Sequence, residues 1–196
     1  MNILIDTLPY EYEGYLINPG FQTGILIDQC LSDKSFIDNR EQLYTASRLL
    51  FGKGIPPIEE AINGLNWFLS AGVPSTKEPI VSHETREYKT LFSFDQDQYM
   101  IYSAFRLRYG INLNNANLHF FEFIALFNDL ANTAFRNVID LRNMDHTDIK
   151  QYSRRDQKKI LALKRQFKVV SENKNEPEKQ TTKFDKLIEE FNKNAK

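Results

Sequence analysis

The chain has 196 residues, with 25 Lys and Arg against 26 Asp and Glu, and 41% of its side chains are hydrophobic. That is enough for one globular domain with a full core plus a tail. No run of about 18 apolar residues exists to cross a membrane, the opening MNILIDTLPYEYEG lacks the basic and long apolar regions of a signal peptide, and the single Cys30 excludes an intramolecular disulfide.

The expectation is a cytosolic protein with Cys30 in its core. Ile3 to Asp6 and Tyr12 to Ile17 are short and β-leaning, with Pro9 between them and Gly14 as a turn, which suggests a small hairpin packed on helices. After Asn18-Pro19-Gly20, residues 23–31 read as a first short helix. Residues 38–51 read as a second, with Leu43, Ala46 and Leu50 on one side and Gly52 as its stop. Pro56-Pro57 leads into a third, where Ile58, Ala61, Ile62, Leu65, Phe68 and Leu69 recur at steps of three and four, Trp67 lies at the edge, and Gly72 supplies a left-handed stop. Residues 73–91 show no clear period and read as a polar connection.

Residues 92–142 hold eleven of the chain's aromatics and read as three helices in close succession. So much apolar surface is either the core of a small helical domain or a surface meant for another protein's helix. Asp95 reads as the cap of a helix through Arg108, with Ile101, Ala104 and Phe105 inward and Gly110 ending it. Leu118 to Leu130 is apolar on most sides, the mark of a central, enclosed helix. Asn132 or Thr133 caps the next, with Phe135, Val138 and Ile139 facing in. Thr147 reads as the cap of a basic helix whose Ile149, Tyr152, Ile160, Leu163 and Phe167 form a buried stripe. Residues 171–182 are a polar linker. Beyond them Phe184, Leu187, Ile188 and Phe191 fall at i, i+3, i+4 and i+7, one apolar face on a helix too short to stand alone in water.

Charge is spread unevenly. Residues 1–98 carry seven Lys and Arg against fourteen Asp and Glu, whereas residues 150–170 carry eight against Asp156 alone. Arg154, Arg155, Lys158, Lys159, Lys164, Arg165 and Lys168 form a basic surface that could neutralise phosphates. No base-reading motif accompanies them, so a solvated face, or one that pairs with the acidic half of another copy, is the better reading.

The search for chemistry yields little. His83, His119 and His146 are far apart and share no metal-ligand spacing; His119, beside Phe120 and Phe121, reads as a core histidine with its hydrogen bonds satisfied. Gly52-Lys53-Gly54 lacks the spacing of a phosphate loop and follows a helix. Asp95 and Asp97 read as a cap and a first-turn acid, not a catalytic pair. No catalytic residue, cofactor or metal ligand is assigned.

The pattern Asp97-x-Tyr99-x-Ile101-Tyr102-x-x-Phe105-x-x-x-Tyr109-Gly110-Ile111-x-Leu113 continues into Leu118-His119-Phe120-x-x-Phe123-x-Ala125-Leu126-Phe127-x-x-Leu130, then Phe135-x-x-Val138-Ile139-x-Leu141-Arg142. It resembles the bacteriophage gene product fifteen family, found in long-tailed phages and prophages of Gram-positive bacteria. Ala61, Trp67-Phe68-Leu69, Leu8-Pro9 and Tyr15-x-Ile17-Asn18-x-x-Phe21 fit the same family. His119-Phe120 stands where the family pattern has His-Trp. The resemblance covers residues 1–170. It implies a gene between those of the major tail protein and the tape-measure protein, and a tail assembly chaperone that coats the helical tape measure until tail-tube subunits polymerise around it.

The expected fold is mainly α: one domain of about seven helices with a small N-terminal hairpin over residues 1–170, a linker over 171–182 and an amphipathic helix over 183–196. The expected partners are the tape-measure protein, other tail assembly proteins and further copies of the chain, with no membrane. The expected place is the host cytoplasm. The rival reading is a nucleic-acid-binding protein acting through the basic helix 150–168.

Overall fold

The computed structural model describes residues 2–73 and 91–170. They form a two-stranded hairpin, β1 (Glu11–Tyr12) and β2 (Tyr15–Leu16), and eight helices: α1 (Phe21–Ser32), α2 (Asn39–Phe51), α3 (Ile58–Leu69), α4 (Gln98–Tyr109), α5 (Phe120–Asn128), α6 (Ala134–Asn143), α7 (His146–Lys150) and α8 (Arg154–Gln166). The protein is mainly helical, as expected. The linker 171–182 and the terminal segment with Phe184, Leu187, Ile188 and Phe191 lie outside the described residues. The chain divides into two compact units, the first holding the hairpin, α1 to α3 and α5, the second holding α4 and α6 to α8.

In the first unit the hairpin forms within residues 11–16 alone. Glu13 and Gly14 both take positive φ, 48° and 82°, the backbone that a two-residue turn matched to strand twist requires. Ile3 to Asp6, expected to be β-leaning, instead makes a turn in which the Ile5 and Asp6 amides donate to the Asn2 carbonyl, and its apolar side chains stay exposed. Two rings fasten the hairpin: Tyr12 lies on Trp67 with centroids 5.0 Å apart, and Tyr15 meets Phe51 edge-on. Asn18 then closes the end of α2, its side-chain amide donating to the Leu49 carbonyl and its backbone amide to that of Leu50. Those carbonyls have no partner inside the helix.

Polar side chains also serve the start of α2 and the end of α1. Asp38 accepts from the Arg40 amide at the start of α2. The buried Gln42 amide donates to the Cys30 and Asp33 carbonyls at the end of α1. Cys30 is half-buried at this seam and not fully enclosed. Of the periodic positions in α3, Ala61, Ile62, Leu65 and Phe68 are buried, while Ile58 at the first turn is exposed. Ala71 and Gly72 both take left-handed φ after it.

The expected enclosed helix Leu118 to Leu130 is shorter than its apolar run. Leu118 and His119 are extended and pair with the segment before α1: the Phe21 amide donates to the Leu118 carbonyl and the Phe120 amide to the Pro19 carbonyl. Only α5 is helical. Its rings stack in sequence, Phe21 on Phe123 at 5.0 Å, Phe120 on Phe68 at 4.8 Å, and Phe123 on Phe127 at 5.9 Å. Phe121 receives Trp67 edge-on at 5.3 Å. Gly24 lets α1 approach this stack, since a Cβ there would stand 2.1 Å from the Phe120 ring.

In the second unit α4 packs on α6, and α6 and α7 pack on α8. Ile101, Ala104 and Phe105 of α4 face in as expected, as do Phe135 and Val138 of α6. Thr133 caps α6 by accepting from the Arg136 amide. The single basic helix expected from Thr147 onward is two helices. Asp145, not Thr147, caps α7 in a reciprocal box with Asp148. Ser153 caps α8 by accepting from the Asp156 amide. The expected stripe is only partly enclosed: Ile149 is buried, Ile160 and Phe167 are half-buried, and Tyr152 and Leu163 are exposed.

Two substitutions test the packing of the first unit. Phe123→Ala, at a ring with no exposed surface, should lower unfolding free energy by about 3–5 kcal/mol in urea titrations. Gly24→Ala should also destabilise, by about 1–3 kcal/mol of overpacking, opposite in sign to its helix-propensity gain. A Gly24→Ala variant more stable than the parent would contradict the close approach of α1 to Phe120.

Candidate functional site

Among the described residues, His119, Cys30 and Asp97 each have a structural occupation. His119 is buried. Its Nδ1 accepts from the Phe121 amide at 3.0 Å, so the proton sits on Nε2, which donates to the Pro9 carbonyl at 2.9 Å. Both ring nitrogens are spent holding α5 to the N-terminal segment, and neither is open to a metal. His146 is the first residue of α7, and His83 lies outside the described residues. Among the described residues no group of three or more His, Cys, Asp or Glu side chains is placed to hold a metal ion.

The Cys30 thiol is pushed up from its ordinary pKa, first by burial and then by the charge of Asp33. That disfavours the thiolate a nucleophile needs. The sulfur points at the Gln42 carbonyl, 3.6 Å away. Gly52 is the stop of α2, with φ of 62°, and Gly54 follows in an open turn, so Lys53 belongs to a helix end and not to a phosphate cradle.

Asp95 and Asp97 do not act as a pair. Asp95 is exposed and does not cap α4. Asp97 holds the capping position, but its carboxylate turns inward to Arg142. The Arg142 terminal nitrogens donate to Asp97 Oδ2 at 2.6 Å and Oδ1 at 2.9 Å, and the Ser93 amide donates to Oδ2 at 3.1 Å. Arg142 also donates to the Leu91 carbonyl at 2.8 Å and, through Nε, to the Phe167 carbonyl at 2.6 Å. One guanidinium therefore joins the chain before α4, the start of α4, and the end of α8. With the ion pair 8% and 2% exposed, its value lies in complete pairing, because a lone charge there would carry an uncompensated desolvation cost.

The basic surface divides on inspection. Arg154, Arg155, Lys158, Lys159, Arg165 and Lys168 are exposed. Lys159 pairs with Asp156 within α8, and the other five form no ion pair among the described residues. Lys164 does not belong with them: half-buried, it donates to the Arg142 and Met144 carbonyls and so closes the end of α6. Its position in the charge run gave no sign of this, since the tie depends on how α8 crosses α6.

The aromatic run resolves toward core. Phe94, Phe105, Phe120, Phe121, Phe123, Phe127 and Phe135 are all buried, while Tyr99 is 82% exposed. No buried side-chain nitrogen or oxygen among the described residues lacks a hydrogen-bond partner, so none is held unsatisfied for a ligand. Exposed apolar side chains are spread over both units: Leu4, Ile5, Leu16 and Ile37 in the first, Tyr99, Leu107 and Leu161 in the second. No helix of the described residues is long and apolar enough to cross a membrane.

His119, Cys30 and the buried Asp97 of this helical protein are all engaged within its fold. The family described as Bacteriophage Gp15 protein matches residues 4–169, and the chain belongs to that family, one of phage structural or assembly proteins that is not known as enzymatic. No curated protein and no solved structure matches the chain.

The Arg142 cluster gives a direct test. Arg142→Met should cost about 3–5 kcal/mol by leaving Asp97 buried and alone. Adding Asp97→Leu should recover a large part of the loss, a coupling that a double-mutant cycle of melts would measure. Additive effects would mean that the pair does not share one buried environment.

Proposed function

We propose that this protein is a tail assembly chaperone that binds and shields the phage tape-measure protein in the host cytoplasm during tail morphogenesis, without catalysing a reaction. The observation that carries the reading is family membership across residues 4–169. The fold is consistent with it in one respect: contacts with a long helical client need surfaces and not a catalytic cleft. Because the aromatic run is spent on the core, client contacts fall to the exposed apolar side chains and to the terminal segment, where Phe184, Leu187, Ile188 and Phe191 share a helical face by sequence. Burial of those four would contribute about 1.5–3 kcal/mol each before ordering costs.

The exposed cations of α8 favour one second reading, a nucleic-acid-binding protein acting through residues 150–168. Co-expression with the tape-measure gene of the same phage separates the two. The first reading expects the tape-measure protein to stay soluble and to co-purify with the chain, and deletion of residues 171–196 to weaken that capture. Failure to capture it, together with salt-sensitive retention of DNA or RNA that is lost when Arg154, Arg155, Lys158 and Lys159 become Gln, would replace it with the second.

A further inference from the structure

The row of cations on α8 and the hairpin corner of the first unit are complementary in charge and in apolar content. Arg154, Lys158, Leu161 and Arg165 follow one another at steps of four, three and four, which places them on one face of α8 over about 16 Å. All four are exposed, Leu161 by 37%. The cations of this row make no ion pair among the described residues. A straight row of unpaired charge with a leucine in its middle is a surface that an acidic, partly apolar partner would fit.

The hairpin corner offers those features. Glu11 faces Leu16 across the strand pair, so the outer face sets a carboxylate beside a leucine that is 75% exposed. Glu13 is in the turn, next to Tyr12. Glu60 lies on α3 one helical turn before Gly64, where a Cβ would stand 3.0 Å from the Tyr12 ring. Burial is the first cause that raises the Tyr12 phenol, and the charges of Glu13 and Glu60 add to it. Glu11, Glu13 and Glu60 are exposed and form no ion pair among the described residues.

We propose that the exposed row of α8 in one copy docks on the hairpin and α3 corner of a second copy, with Arg154, Lys158 and Arg165 against Glu11, Glu13 and Glu60, and Leu161 against Leu16. Charge complementarity points to this occupant, since the chain as a whole is nearly neutral and its acidic excess is local. Residues 2–73 carry nine Asp and Glu against four Lys and Arg and residues 91–149 seven against four, whereas residues 74–90 and 171–196 each carry equal numbers of both, so the excess is largest in the stretch that holds the corner. The contact joins two different patches, so it is heterologous, and an open assembly keeps one free patch of each kind at its two ends unless a ring closes. The inference does not depend on the identity of any client.

Sedimentation velocity of the full chain at low and high salt is the test. Association should appear at about 50 mM salt and weaken by about tenfold or more at 500 mM, where charges are screened within a few ångströms. The pair Lys158→Glu with Arg165→Glu should abolish it, as should Glu13→Lys with Glu60→Lys. All four positions are exposed, so each variant should stay folded, with melting lowered only slightly where Glu60→Lys and Arg165→Glu oppose a helix dipole. An equimolar mixture of the two reversed variants should associate again, because each then presents the patch the other lost. A monomer at low salt, or association indifferent to either reversal, would overturn the proposal. Salt-sensitive retention of duplex DNA or RNA by a chain that stays monomeric would overturn it too, and would make the row a nucleic-acid surface.

Discussion

The first unit depends on the ring stack of α5. Nine residues of helix supply Phe120, Phe121, Phe123 and Phe127, and these meet Phe21, Trp67 and Phe68 from α1 and α3. Offset stacking of such rings adds roughly 0.5–1.5 kcal/mol per pair beyond the area they bury, but the stack needs space, and Gly24 supplies it. The extended residues before α5 serve the same end. By pairing Leu118 and Phe120 with the chain around Pro19, and by tying His119 to Pro9, they fix the helix start so that its rings enter at the correct height. Loss of this arrangement would loosen the hairpin as well, because Trp67, which Phe121 meets edge-on, is one of the two rings that fasten it.

The second unit is held by a different kind of interaction. No residue of α8 is fully buried, and its apolar contact rests on half-buried side chains such as Ile160. It is also held by a set of directed bonds: Arg142 to the Phe167 carbonyl, Lys164 to the end of α6, and Gln96 exchanging two hydrogen bonds with Val170. The charged donors of Arg142 and Lys164 make their bonds stronger than neutral ones. Fixing α8 through its polar ends leaves one whole side of the helix to solvent, and that side carries the basic row. The carboxylate that makes this possible, Asp97, is taken from helix capping to serve as the counter-ion.

Much of this was legible in the sequence where a local rule governs. The stripe of α3 predicts its buried face because helical period and burial coincide there, and Gly52 and Gly110 end helices because left-handed backbone favours glycine. The split between α7 and α8 also had a signal, since Ser153 stands three residues before Asp156 in a capping pattern; the continuous run of charge concealed it. The buried faces of α8 were misread because half-exposed leucines in a basic helix give the same period as a core stripe. Arg142 and Asp97 lie 45 residues apart, and Gly24 lies far along the chain from Phe120; such pairings have no periodicity and emerge only when helices cross. No active-site pattern was found in the sequence, and the family match to residues 4–169 agrees with the resemblance read from core residues.

The central claim is that the aromatic run is a closed core and that partners meet the outer surfaces of the protein. Hydrogen exchange of the full chain, alone and with a soluble tape-measure fragment, tests this most directly. Amides of α5 should exchange only through global unfolding, with protection unchanged beyond the stabilisation that any bound ligand confers, and the local gains should fall at exposed positions such as the hairpin face, α8 or the terminal segment. Rapid exchange of α5 in the free protein that becomes slow with the fragment would contradict the account, because it would make the phenylalanine stack the client's binding surface.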